Sequence, residues 1–194
     1  MTVDQSQKIK FIPCHCWVTS ETGLLKSINL AKKTATNFYP DKQPKVSDSL
    51  LAITNVSPSE VTGVTKTGIV QSFSEGEFKT EFSSGNPDPI FISKLSDSIV
   101  QSYKNGKIFS NDREVYAPDK EAVYQASCLL NQSSLVIGGK DVLPTLVDLE
   151  KGSTIWTGKN VAHSWLDIKQ PIWQTSFVTD QENSGSVFYS TTAY

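Results

Sequence analysis

The sequence predicts an all-β chain built as an array of similar blades, and three observations carry that prediction. Three stretches share nearly the same strand ending: Thr22-Gly23-Leu24-Leu25-Lys26-Ser27-Ile28, Thr67-Gly68-Ile69-Val70-Gln71-Ser72-Phe73 and Asp97-Ser98-Ile99-Val100-Gln101-Ser102-Tyr103. Their apolar pairs start 69 − 24 = 45 and 99 − 69 = 30 positions apart, gaps that bracket the period of a repeated β-blade. The chain as a whole is a succession of short β-rich runs broken by turn residues, with no sustained helical period. The repeated strands are also apolar on both faces. Ile69, Gln71 and Phe73 point one way, Val70 and Ser72 the other, as expected of a sheet packed between neighbouring sheets. A β-sandwich, the alternative architecture, would alternate more sharply and keep one solvent face.

Residues 1–10 are polar and read as a disordered tail; residues 11–194 read as the folded part. Cys16-Trp17-Val18-Thr19 forms the first strand, the turn Glu21-Thr22-Gly23 follows, and the next strand covers 24–30. Pro40, Asp41 and Pro44 make 39–46 a loop. Strands at 50–55 and 61–65 flank Ser57-Pro58-Ser59, and the turn Lys66-Thr67-Gly68 leads into 69–73. The cycle repeats with strands at 89–92, 99–103 and 107–109, the last two joined by Asn105-Gly106, a strong hairpin signal. A further round has strands at 122–130, 134–137, 146–149 and 155–156, with Gly138-Gly139 as a turn. The last strands are 172–178 and 187–191.

Lys and Arg total 18 against 20 Asp and Glu, so no large basic surface is implied and bulk attraction to nucleic acid is not supported. The odd set Cys14, Cys16 and Cys128 argues against a disulfide framework and for a reducing compartment. The N-terminus lacks the apolar core of a signal peptide, and no apolar run approaches bilayer-spanning length. An intracellular protein without membrane partners is expected.

Catalytic chemistry finds little support. Cys14-His15-Cys16 would need two further ligands for tetrahedral zinc, and only Cys128, His163 or carboxylates could supply them. No second closely spaced pair exists, so no metal is expected. His163 and Asp167 could be drawn into a triad, yet no serine sits in a nucleophile elbow. Gly138-Gly139-Lys140 lacks the leading glycine and trailing hydroxyl of a phosphate loop. No catalytic residue, cofactor or small-molecule substrate is expected.

Leu135-Val136-Ile137-Gly138-Gly139-Lys140-Asp141, followed by Thr145-Leu146-Val147-Asp148-Leu149, looks like a WD repeat with valine in place of the tryptophan. The segment from Lys159 to Trp173, together with Glu21-Thr22-Gly23-Leu24-Leu25-Lys26, resembles the WD repeat-containing protein 74 family. That family's signature runs Lys-Asn-Val, a spacer, Trp-Leu-Asp, an apolar residue, Arg, Val, Pro, an apolar residue and Trp. Lys159, Asn160, Val161, Trp165, Leu166, Asp167, Pro171 and Trp173 match it. Ser164 stands where an acidic residue is usual, Lys169 replaces arginine and Gln170 replaces valine; lysine cannot make the planar two-pronged contact of arginine.

The resemblance implies a WD-type seven-bladed β-propeller, present here as a partial open arc of about four blades, incomplete at its C-terminus. It also implies a non-enzymatic assembly factor for the large ribosomal subunit, located in the nucleus and nucleolus. Its partners would be pre-ribosomal assembly proteins and, through them, pre-rRNA, with a AAA ATPase as releasing factor. Lys159, Asn160, Trp165, Asp167 and Trp173 would form the partner-binding segment, with Trp165 and Trp173 as packed supports and Lys159 and Asp167 as exposed contacts. A generic WD scaffold and, from another class, a propeller hydrolase are the alternatives.

Overall fold

The computed structural model describes residues 15–37, 46, 49–57, 60–74, 77–96, 98–160, 162–163, 165–166, 170–180 and 187–193. The expected tail at 1–10 and most of the expected loop at 39–46 lie outside these. Seventeen strands follow one another with no α-helix among the described residues. Blade 1 comprises β1 (His15–Thr19), β2 (Leu25–Asn29) and β3 (Thr34–Asn37). Blade 2 comprises β4 (Leu50–Ser57), β5 (Glu60–Thr65), β6 (Ile69–Ser74) and β7 (Glu77–Ser83). Blade 3 comprises β8 (Pro89–Lys94), β9 (Ile99–Tyr103), β10 (Ile108–Ser110) and β11 (Arg113–Tyr116). Blade 4 comprises β12 (Tyr124–Asn131), β13 (Ser134–Gly139), β14 (Val142–Asp148) and β15 (Ser153–Thr157), and blade 5 holds β16 (Gln174–Thr179) and β17 (Phe188–Thr192). Every blade is an antiparallel meander in chain order. The first strands of successive sheets are neighbours, β4 against β8, β8 against β12 and β12 against β16. That stacking bends the row of sheets into the open arc of a partial propeller.

Each of the four seams between blades holds one apolar cluster. Leu25, Leu50, Val61 and Phe73 fill the first, and Val64, Val70, Ile92 and Ile99 the second. Val100, Ile108, Tyr124, Leu135, Ile137 and Val147 fill the third; Ala126, Cys128, Val136 and Phe177 fill the fourth. Neighbouring residues of one strand therefore serve different seams. Ile99 faces blade 2 while Val100 faces blade 4, and Val136 sits between Leu135 and Ile137 but points the other way. This is why the strands are apolar on both faces, and it excludes the sandwich.

A backbone stitch recurs beside these clusters. The Asp88 N–H, at the entrance to β8, donates to Lys66 O at 3.0 Å, and the Tyr124 N–H donates to Lys104 O at 2.9 Å. At the last seam the Asp141 N–H donates to Ile172 O at 2.7 Å. At the first seam Ser49 Oγ takes the part, donating to Ser20 O at 3.1 Å. Each stitch ties the turn that precedes a blade's last two strands to the entrance of the next blade's first strand.

Those turns set the true register of the repeat. Gly23, Gly68 and Gly106 have φ of 88°, 82° and 82°, and each donates its N–H back three residues, to Ser20, Thr65 and Tyr103 oxygens at 3.0, 2.9 and 2.8 Å. They close three-residue loops with a left-handed last residue. Two of the loops share their side-chain chemistry as well. Ser20 Oγ accepts from Leu24 N and pairs with Thr22 Oγ1, as Thr65 Oγ1 accepts from Ile69 N and pairs with Thr67 Oγ1. Ile69-Val70 thus opens a third strand, whereas Ile99-Val100 opens a second strand. The expected equivalence of these two segments is corrected: the counterpart of Gly68 is Gly106, with intervals 68 − 23 = 45 and 106 − 68 = 38. Second and third strands are both clamped between two seams, so both acquire the same apolar pattern. The turn at Gly138-Gly139 is also displaced, because both glycines belong to β13 and the turn falls at Lys140-Asp141.

The degenerate WD pair has a clear structural role. Val147 is buried in the third seam. Asp148 Oδ1 accepts from the backbone N–H groups of Lys151 and Glu150, both at 2.9 Å, fixing the turn into β15. These bonds, that of Lys151 foremost, hold its carboxyl below the usual carboxylate range. A buried polar chain also crosses the second seam. Tyr103 donates to Gln101 Oε1, lies 2.6 Å from Ser84 Oγ, and Gln101 Nε2 donates to Asn111 O at 3.2 Å.

Burial pushes the Cys128 thiol up to about 11, which makes a testable contrast with exposed Cys16. The neutral thiol is favoured in the folded state, so its contribution is full below the ordinary thiol pKa and is lost as pH rises toward the folded value. At pH 8 an alkylating reagent is expected to modify Cys16 promptly and Cys128 only as fast as the fold opens. Peptide mass spectrometry over a time course reads this, and equal rates at both positions would show that the fourth seam is not closed.

Candidate functional site

The signature segment is the link from β15 in blade 4 to β16 in blade 5, and it is anchored at both ends. Gly158 N–H donates to Pro144 O at 2.8 Å. Asn160 is half-buried, and its Nδ2 donates to Gln170 O at 3.1 Å, drawing the two ends of the link together. Ile172 carries the seam stitch. Trp173 forms a β-bridge with Lys140, donates its indole N–H to Gln125 Oε1 and receives Ala193 N–H on its carbonyl at 3.1 Å. Lys140 Nζ sits 5.0 Å from the ring centroid, within cation–π range. Trp173 is thus a fastener between blades 4 and 5.

Trp165 is placed otherwise. Its side chain is 92% exposed and Leu166 beside it 58%, so the expectation that Trp165 packs as a support is corrected. The turn at 165–166 stands clear of the seam, because the anchoring is done by Asn160, Ile172 and Trp173. Lys159 is exposed. Asp167 lies outside the described residues. The link therefore brings Asn160 and Trp173 onto the framework and presents Lys159 and Trp165 to solvent.

The same face carries the turns and entrance residues of the other blades. Two open clefts lie in it. One, of about 520 Å³ between blades 3 and 4, is lined by Asn160 and Ile172 with Tyr116, Tyr124, Ala122 and Leu143. The other, of about 470 Å³ where the entrances of blades 3 and 4 meet, is lined by Pro87, Asp88, Lys104, Glu121, Ala122 and Val123. Sequence reading missed both, since their walls come from segments far apart in the chain. Elsewhere, His163 is exposed, and among the described residues no three His, Cys, Asp or Glu side chains converge as a metal site would require.

No family model matches the chain. WD repeat-containing protein 74 of Bos taurus is 26% identical over 180 residues, covering 82% of this chain and 46% of that protein. The Mus musculus and Homo sapiens proteins of the same name are 26% and 24% identical with the same coverage. The chain thus spans about half the length of these curated relatives. In fold it is similar to U3-55K, with TM-score 0.65 at 12% identity over 85% of this chain and 53% of that one. It is also similar to the computationally designed Ika8 protein, with TM-score 0.60 at 13% identity over 89% and 52%. The resemblance carried by Lys159, Asn160, Trp165 and Trp173 and the sequence matches along most of the chain point to one family: this chain is similar to WD repeat-containing protein 74.

Proposed function

We propose that the chain is the propeller arc of a non-enzymatic WD-repeat assembly factor that docks onto precursors of the large ribosomal subunit through the blade 4–5 link. The observation that carries this reading is the Trp165–Leu166 tip, exposed on a link whose two ends are fastened to the framework. An exposed aromatic on a link that also presents an exposed lysine has the composition of a binding hot spot. Tryptophan is enriched at the fully buried centres of protein interfaces. The ribosomal precursor as partner, the nucleolar location and release by a AAA ATPase come with the resemblance to WD repeat-containing protein 74.

The charged positions of the link give a test separate from the tryptophan. Lys159→Ala combined with Asp167→Ala is expected to weaken co-sedimentation with large-subunit precursor particles several-fold, since rim charges govern encounter more than fold. Lys159→Ala alone, at an exposed position, is expected to keep the melting temperature within about 2 °C, because exposed substitutions usually change stability by less than about 0.5 kcal/mol. Unchanged co-sedimentation on a sucrose gradient would remove the charged contacts from the docking surface. Capture of partners unrelated to ribosome assembly would favour a general WD scaffold.

A further inference from the structure

The two clefts form one track. Ala122 lines both, so the track runs over the link between β11 and β12, along the third seam. Its floor is apolar or aromatic at Ala122, Val123, Leu143 and Tyr124, and each cleft falls in the range of about 300–1,000 Å³ typical of ligand sites.

The charges on its rim are unbalanced. Asp88, Asp119, Glu121 and Asp141 line it against Lys104 and Lys120. None of these four carboxylates has an ion-pair partner among the described residues. By contrast Glu60, Glu81, Glu114 and Asp148, elsewhere on the arc, are each paired with a lysine. Unpaired carboxylates spread along an apolar track oppose a phosphate backbone and favour a cationic chain.

We propose that this track binds an extended basic peptide segment of a partner protein, seating one large apolar side chain in each cleft and its lysines or arginines against the four carboxylates. The idea rests on the reading that this face docks a protein, yet it requires neither the ribosomal partner nor the Trp165 tip. The backbone around the track is held by the stitches at Asp88, Tyr124 and Asp141, so the site is formed before the ligand arrives, which lowers the cost of ordering.

Selection of random twelve-residue peptides on the immobilised 194-residue chain tests the proposal. Enriched peptides are expected to combine Lys or Arg with Leu, Phe or Trp. Synthetic fluorescent copies should bind at least tenfold more weakly after Glu121→Lys with Asp119→Lys, two exposed sites whose exchange leaves the fold intact. Ala122→Trp, which fills the shared point of both clefts, should abolish binding. Lys159→Ala and Trp165→Ala should leave peptide affinity unchanged, so the track and the blade 4–5 link fail independently. Enrichment of acidic peptides, no enrichment, or insensitivity to the charge reversal would overturn the proposal. So would a single-stranded oligouridylate probe that competes for Lys104 and Lys120.

Discussion

Gly68→Ala is expected to destabilise the chain by about 2–5 kcal/mol, the sum of two separate costs. A side chain in the left-handed region costs about 1–2 kcal/mol, and Gly68 has φ of +82°. The added Cβ would also lie 2.3 Å from Asn86 O and 2.7 Å from Ser84 Oγ, an overlap that only a backbone shift relieves, at about 1–3 kcal/mol. Ser84 cannot move freely. Its N–H is bonded to Gly68 O at 3.0 Å and its hydroxyl lies 2.6 Å from Tyr103 OH, so the strain passes into the second seam. Gly85→Ala is the matched control, with φ of +70° and nothing within 4 Å of the added atom. It should cost only the conformational part, about 1 kcal/mol. Urea titrations of both variants separate the terms. An equal loss for the two would mean that the turn does not press on the next blade as tightly as the geometry indicates.

The inner strands were legible and the outer ones were not, for one physical reason. β6, β9 and β13 are buried on both faces and announce themselves by apolar residues at successive positions. β3 and β7 are mostly exposed, β11 is half-exposed, and their polar sequences carry no hydrophobic period to read. Their pairing comes from the backbone ladder and from the turn that precedes them. Of the outer strands only β15 was partly visible, through Ile155 and Trp156. The misregistered repeat has the same origin: double-sided burial imposes one pattern on every inner strand, and only the left-handed glycine marks which strand follows. Gly23, Gly68 and Gly106 were present in the sequence as turn residues, but their alignment needed the meander order.

The signature link was located correctly from its residues, while the burial of its two tryptophans was not. Composition treats Trp165 and Trp173 alike, since either aromatic can serve a core. What separates them is pairing that sequence cannot show: Lys140 and Gln125 meet Trp173 across the fourth seam, and none of these contacts reaches the tip. The peptide track was invisible for a related reason. Asp88 and Lys104 come from blade 3, Glu121 and Asp141 from blade 4, and they become neighbours only through the packing of the two sheets.

Trp165→Ala is expected to separate docking from folding. With its side chain 92% exposed, the free protein loses almost no burial on truncation, and the melting temperature should match the parent's within error. If the indole becomes desolvated at the centre of the interface, truncation costs about 2 kcal/mol or more of binding. At about 1.4 kcal/mol per decade this is a loss of roughly 25-fold or more in affinity for precursor particles. Trp165→Phe should restore part of it, since an aromatic anchor keeps contact area while losing size. Trp173→Ala should behave in the opposite sense. Truncating a fully buried tryptophan costs about 3–5 kcal/mol, and the half-buried Trp173 should lose a portion of that. Its removal also leaves Gln125 and Lys140 without the ring that joins blades 4 and 5. A thermal melt and a particle co-sedimentation assay on the two variants give four values. If Trp165→Ala sediments with precursors as the parent does, the exposed tip is not the anchor and docking must use another part of the face.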